Sequence, residues 1–489
     1  MGFKQIKFGM AAAEKEKSDS PNLLIEGFLD AYGYIDKIEN ENKFLVLGPK
    51  GSGKSAIGSR LELLSKNSDS RYTQQHYLKD FPYKSFTEIL PGGEAPEIKY
   101  PNNWEFILLT ALLDSFRKDH YCICDNEFDL QKTIEIFENL GLIPKKDLAQ
   151  IVKTTTKKDF KIGLKDFFSY QHSSEYQKNH FTIKMLFDYL KEVCYSVRTK
   201  NHHFIIVDGL DTVLTHRETQ YQSLSALILA ADRMNQNLQE SNVNAKIVIL
   251  CRTDLLDKLS DPNKNKVVSD SGIILEWYDD VRDAKATNLV NLINLRAKIS
   301  LQKDVDIFNE FIPEKIMGDK PTVKVLLDHT RHTPRDIIQL MNKIQEHTKG
   351  KIPTLDDIWN GIRMYSIQYF MQEIHDELVG FLPNEERDGA FQLITAIGKS
   401  KFFIKELEDM QNRDSRFKNL DLNKILTIFY NCNAIGNFNL KSGRYSWKYR
   451  NRYSSFDPNQ HIAVHLGLHK ALNISDYYIE KDPSFKNFY

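Results

Sequence analysis

Cysteine is scarce in this chain of 489 residues: Cys122, Cys124, Cys194, Cys251 and Cys432 make five. An odd, scattered set excludes the disulfide framework of a small secreted domain. Cys122 and Cys124 are spaced like a metal or redox pair, but no Cys or His partner follows at ligand spacing. Both are therefore expected to be ordinary reduced thiols. Long apolar runs are also missing, and none approaches the roughly 18 residues a membrane span needs. The opening MGFKQIKFGMAAAEKEK has no signal-peptide core. It begins Met-Gly, but Ile6 stands where N-myristoylation requires Ser or Thr. A cytoplasmic protein without a membrane partner is expected. Net charge is absent, with Lys+Arg and Asp+Glu at 66 each, so any nucleic-acid binding has to come from a local patch. No internal repeat and no long low-complexity tract interrupts the pattern.

What is present reads as a globular chain of two to four domains, 27% charged and 41% hydrophobic. The stretch FIIVDGLDTVL, residues 204–214, runs four apolar residues into Asp208, and Asp211 follows three positions later. A buried carboxylate without a partner is costly. It needs a metal ion, an arginine, or water at an open edge.

KFLVLGPKGSGKSAIGSRLELL, residues 43–64, reads as a short strand, a glycine-rich turn and an amphipathic helix. Within it Gly48-Pro49-Lys50-Gly51-Ser52-Gly53-Lys54-Ser55 satisfies G-x-x-x-x-G-K-[ST] fully, and Ala56 continues into the helix. Glycines let the backbone N–H groups of such a turn point inward at phosphate oxygens. The helix that follows offers its positive end to the same phosphates. Lys54 is expected on the β- and γ-phosphates and the Ser55 hydroxyl on Mg²⁺. Asp208 then finds its positive partner as the second holder of Mg²⁺. Asp211 is placed to orient or activate the attacking water or to hold a neighbouring cation, or else it caps the following turn. NKNK at 263–266 lacks the aspartate of a guanine-reading N-K-x-D motif, and no L-S-G-G-Q is present. ATP is the expected nucleotide.

Strand and helix signals alternate from 43 to 277. Strands are expected near Tyr77 and over 204–207, 246–251 and 272–277, and helices over 105–116, 181–197 and 221–240. That order means an α/β core, a parallel sheet with helices on both faces. Ligands of such sheets sit at the carboxyl ends of the strands, where the glycine turn, Asp208 and Arg252 all fall. The expected layout is an N-terminal segment (1–40, one helix over 22–40) packing on the ATPase core. The core covers 41–284 with a helical insertion around 80–180. A helical lid (285–378) and a winged-helix-like domain (379–489) follow. Three helices (389–398, 404–411, 422–432) and a hairpin turning at Gly443 mark the last domain. LKSGRYSWKYRNRY, residues 440–453, interleaves Lys441, Arg444, Lys448, Arg450 and Arg452 with Tyr445, Trp447, Tyr449 and Tyr453. Such a hairpin either touches a nucleic-acid backbone or packs its aromatics inward and solvates its charges. HIAVHLGLHKALNI, residues 461–474, is expected to be a helix with His461, His465 and His469 in one row. A straight row converges poorly on a metal ion.

These motifs resemble the STAND and AAA+ branches of P-loop ATPases. The residues that carry the resemblance are GPKGSGKSA, the strand ending Asp208-Gly209-Leu210-Asp211, and the strand ending Cys251-Arg252-Thr253-Asp254. The leading FG…AEKE…P-N-L-L…GF-x-D segment is similar to a group of bacterial P-loop ATPases. The resemblance implies that Arg252 senses the γ-phosphate. It also implies that Arg335, in His332-Thr333-Pro334-Arg335-Asp336, reaches the nucleotide as in origin-recognition ATPases, although T-P-R-D is equally a good helix start. Arg296 is either an arginine finger or a salt-bridged helix arginine. No glutamate follows Asp208 directly, so slow hydrolysis is implied. The implied function is an ATP-dependent switch that controls its own homo-oligomeric assembly or an effector partner, in bacterial conflict such as phage defence. The alternatives are a DNA-binding ATPase or loader, and a scaffold that only binds nucleotide. No nuclease, TIR or protease motif is recognisable.

Overall fold

The computed structural model describes residues 2–90, 95–125, 129–145, 147–157, 160, 164, 183–210, 218–259, 264–316 and 318–474. The chain forms two compact units, one of residues 30–275 and one of residues 1–29 with 276–489.

The first unit is built on a five-stranded parallel sheet. Its strands are β1 (Leu45–Gly48), β2 (Arg71–Tyr77), β5 (His202–Asp208), β6 (Ala245–Arg252) and β7 (Gly272–Ile274), in the spatial order β2-β5-β6-β1-β7. A small antiparallel pair, β3 (Ile123–Cys124) and β4 (Val197–Arg198), stands apart from it. All five predicted strands are present, and the expected α/β core is observed. The central strands β1, β5 and β6 are near-continuous apolar runs because helices cover both faces. Those helices are α1 (Lys54–Lys66), α2 (Pro96–Phe116) and α4 (Glu218–Glu240), while α3 (Ile183–Tyr195) packs on α2. Trp104 on α2 is fully buried, stacks on Phe81 with centroids 4.9 Å apart, and donates its indole N–H to the Ser223 carbonyl at 2.7 Å. Buried Glu105 is matched by Arg233 at 2.5 Å, Lys191 at 3.4 Å and the Tyr195 hydroxyl at 3.0 Å, which together tie α2, α3 and α4.

The expected single helix over 22–40 is two, Pro21–Glu26 and Tyr34–Asn40. Gly33 at φ +65° breaks the run, and the Asp30 carboxylate restarts it by accepting from the Tyr34 and Ile35 N–H groups at 2.6 and 3.0 Å. The break falls at the unit boundary. Residues 2–29 therefore belong with the helical unit, and the expectation of a 1–40 segment packed on the ATPase core is corrected.

In the second unit α5 (Asn288–Leu301), α6 (Pro334–His347) and α7 (Leu355–Tyr365) enclose an apolar core that also takes in Phe3, Ile6 and Phe8. Helices α8 (Asn384–Ile397), α9 (Ile404–Arg413) and α10 (Leu422–Asn431) follow, with β8 (Lys401–Phe402) between the first two. Then β9 (Ile435–Asn439) and β10 (Arg444–Ser446) form the expected hairpin, with Gly443 at φ +67°. β11 (His461–Val464) completes a four-stranded sheet of order β10-β9-β11-β8. The expected 461–474 helix is thus overturned: Ile462, Ala463 and Val464 are buried in a strand paired with β8 and β9, and among residues 461–474 only Leu466–His469 is helical. The row of histidines does not exist. His465 caps the short helix by accepting from the Gly467 N–H at 3.0 Å, and buried His469 lies 3.1 Å from the Val464 carbonyl.

No helix among the described residues is long and apolar enough to cross a membrane.

Candidate functional site

The glycine turn lies between the end of β1 and the start of α1. Gly51 and Gly53 adopt φ +83° and +99°, a region L side chains enter at a cost. Gly48 is required for space: a Cβ there would stand 2.4 Å from the Ser52 Oγ and 3.1 Å from Leu275. The Lys54 ammonium lies across the turn, donating to the Gly48 and Pro49 carbonyls at 2.9 Å each. Lys50, Ser55 and Ala56 complete the turn and the first residues of α1. Gly48 and Arg252 are register partners on adjacent strands, so the turn and the end of β6 share one edge of the sheet. β6 separates β1 from β5, whose last residue is Asp208.

Asp208 is 5% exposed. Its Oδ1 accepts from the Gly209 N–H at 2.7 Å and its Oδ2 from the Gln75 side-chain amide at 3.0 Å. Gln75 comes from β2, the neighbour of β5, and its Oε1 accepts from the Ser59 hydroxyl of α1 at 3.2 Å. Gly58 makes room for it, since a Cβ would fall 2.7 Å from the Gln75 Nε2. A chain of contacts thus runs from the glycine-turn helix through Gln75 to the carboxylate. Motif reading missed Gln75, Gly58 and Ser59, because their meeting is set by strand order alone.

Arg252 is nearly buried and its guanidinium grips Asp254 in a fork, Nε to Oδ1 at 2.9 Å and Nη2 to Oδ2 at 2.7 Å. Burial would raise the Asp254 carboxyl, but Arg252, Lys54 and Lys258 outweigh it and hold it below the ordinary carboxylate range. Burial lowers the Lys258 ammonium, with Asp254 opposing and Arg252 assisting. Lys54, Arg252 and Lys258 therefore form a cationic group around one carboxylate, the balance of charge that a polyphosphate would shift. The electrostatic link from Asp254 to Lys54 was not legible in the sequence.

The donor set fits the implied ligands. A hydroxyl at Ser55 and a carboxylate at Asp208 are hard oxygen donors suited to Mg²⁺. The glycine turn opens a 13-residue helix, which suits phosphates. Asp211 lies outside the described residues.

Arg335 stands in the first turn of α6, in the other unit, with its guanidinium 3.7 Å from Glu373. The helix-start reading of T-P-R-D is realised: Thr333 is the N-cap and accepts from the Asp336 N–H at 3.3 Å. Nearby Arg331 is buried. It forks onto Asp336 at 2.8 Å through both Nε and Nη2 and reaches Glu377 at 2.5 Å. Arg296 proves to be salt-bridged, holding Glu16 at 2.8 and 3.0 Å and the Phe8 carbonyl at 2.6 Å.

The basic hairpin divides into two parts. Trp447 is buried against His465, Tyr449 stacks on His332, Arg450 sits over the Tyr278 ring, and Lys448 donates to the Ser454 carbonyl. Lys441, Arg444 and Tyr453 are exposed.

Residues 287–372 match the FunZ-associated C-terminal helical domain. The structure is similar to that of the Aeropyrum pernix Orc1 protein in complex with DNA, at 11% identity and a TM-score of 0.36, over 94% of this chain and 92% of that one. At that TM-score the likeness carries no argument about function. No curated protein matches the chain.

Proposed function

We propose that the chain is an ATP-binding and ATP-hydrolysing switch that couples nucleotide state to its own assembly or to an effector partner. The observation that carries this reading is the shared sheet edge on which the glycine turn and Arg252 meet, one strand from Asp208. In this reading the turn from Gly48 to Ser55 cradles the phosphates and Lys54 leaves its carbonyls for the β- and γ-phosphate oxygens. Ser55 and Asp208 hold Mg²⁺, which would supply charge neutralisation of the transferring phosphoryl group. Arg252 senses the γ-phosphate by exchanging Asp254 for it, and Asp211 orients water. Arg335 is proposed as the second sensor. A γ-phosphate that alters such contacts biases one conformation over another, which is what a switch requires. The antiphage role rests on the family resemblance alone. The match of residues 287–372 supports treating that stretch as a recurring module.

A second reading, an ATPase or loader whose winged-helix-like domain holds DNA, is favoured by one observation, the exposed Lys441, Arg444 and Tyr453. Steady-state ATP turnover with and without duplex DNA, against Lys54→Ala as background, tests both. Turnover above background supports hydrolysis, and severalfold stimulation by DNA favours the loader. Equal turnover by wild type and Lys54→Ala would reject the site.

A further inference from the structure

At the opposite end of the strand that carries Asp208, a second cluster of ligating side chains comes together. His203 lies at the start of β5 and is fully buried, Asp119 follows the end of α2 and is 3% exposed, and Cys122 precedes β3 and is half-buried. The His203 Nε2 is 3.2 Å from the Asp119 Oδ2, the Cys122 Sγ is 3.3 Å from the same oxygen, and the Cys122 Sγ is 3.9 Å from the His203 Nε2. A triangle with those sides encloses a point about 2 Å from all three atoms, against roughly 2.0–2.3 Å for Zn–O, Zn–N and Zn–S bonds. We propose that Asp119, Cys122 and His203 form a zinc site that clasps the α2–β3 connection to the sheet.

The surroundings support three fixed ligands. The His203 ring is held between Tyr72, stacked at 4.9 Å, and Phe116, edge-on at 4.8 Å. Its Nδ1 lies 2.8 Å from the Ser115 Oγ, the kind of outer contact that sets the tautomer of a ligating histidine. Asp119 is oriented by the Thr199 hydroxyl at 2.6 Å, the Asn201 amide at 2.8 Å and the Tyr121 N–H at 3.0 Å. On binding, the Cys122 thiol releases its proton to solvent and the imidazole stays neutral, with its proton on Nδ1 donated to Ser115. Three protein ligands leave a fourth position for water on the half-exposed Cys122 side. Cys124 takes no part, its Sγ lying 3.8 Å from the Val193 carbonyl. Without metal, the same three groups would form a hydrogen-bonded triad.

The untagged 489-residue chain tests this site. Zinc analysis of the purified protein is expected to give about one equivalent, and zinc K-edge absorption a first shell of one sulfur and otherwise nitrogen or oxygen. After chelation, Co²⁺ should restore a thiolate-to-cobalt charge-transfer band that Cys122→Ser loses and Cys124→Ser keeps. Less than about a tenth of an equivalent of zinc with no cobalt band would overturn the site, as would a metal shell without sulfur. A band unchanged in Cys122→Ser would do the same. Should Cys122→Ser fail to fold, the absorption measurement on the wild type decides alone.

Discussion

Gln75 shows what a single residue contributes when it touches another residue's function. A carboxylate that holds a hydrated cation is effective only in one orientation, and partners behind it typically change metal affinity by about 10–100-fold. Gln75→Leu removes the amide that donates to Asp208 while keeping the volume between Gly58 and β5. Binding of a fluorescent ATP analogue in Mg²⁺ is therefore expected to weaken by about tenfold or more, and binding in EDTA to stay near wild type. Equal losses in both conditions would mean that Gln75 only supports the fold; recovery in Gln75→Asn would be absent too, since the shorter amide cannot reach. The residues around this contact differ in how they could be read. Gly48, Lys54 and Ser55 are legible because their roles depend on neighbours within eight positions of sequence. Gln75 and Asp208 are 133 positions apart, and nothing local in RYTQQHY marks one glutamine as facing a carboxylate.

At the scale of elements, the N-terminal strap shows how a short segment acquires a fixed path. Phe3, Ile6 and Phe8 alternate with polar residues and bury into the helical unit. The Gln345 amide donates to the Phe3 and Ile6 carbonyls at 2.8 Å each, and Asn342 to the Gly9 carbonyl at 2.9 Å. The anchor is Arg296 on α5, closed on Glu16. Gly9 at φ +117° lies so near that a Cβ would overlap the guanidinium. Removing one member of a buried pair strands the other charge, at about 3–5 kcal/mol. Glu16→Ala is thus expected to lower the unfolding free energy of the helical unit, read from urea melts, by that order, and Glu16→Ala with Arg296→Met to recover much of it. A double variant no better than the single would show that the pair itself, rather than an uncompensated charge, carries the effect. Sequence alone left Arg296 open between a catalytic and a structural role, because an arginine on an apolar helix declares its partner only in three dimensions. The same ambiguity misled over 461–474. HIAV fits a helix by periodicity as well as a strand, and the free edges of β8 and β9 decided it.

Over the whole molecule, several histidines are buried without charge, and this sets a common pH dependence. Burial is the largest influence on His76 in the sheet unit and on His332 in the helical unit, and lowers each to about 4. His465 is pushed well below its ordinary value, again mainly by burial. In the unfolded chain these groups titrate near 6.5. A group whose folded pKa is depressed binds fewer protons folded than unfolded. Its contribution is therefore fully present above about pH 6.5 and is lost as pH falls toward about 4. His76 and His332 each contribute on the order of 3 kcal/mol at most across that window, at about 1.4 kcal/mol per unit. Both units are expected to lose urea resistance between pH 7.5 and 5, with little change between pH 7.5 and 8.5. His332→Phe, which keeps the ring stacked on Tyr449 without a titrating group, should flatten the loss in the helical unit and leave that of the sheet unit steep. A flat wild-type profile down to pH 5 would mean that these imidazoles reach water and titrate normally. A loss in the helical unit unchanged by His332→Phe would move its origin to His465, whose ring stacks on Phe370 at 4.7 Å.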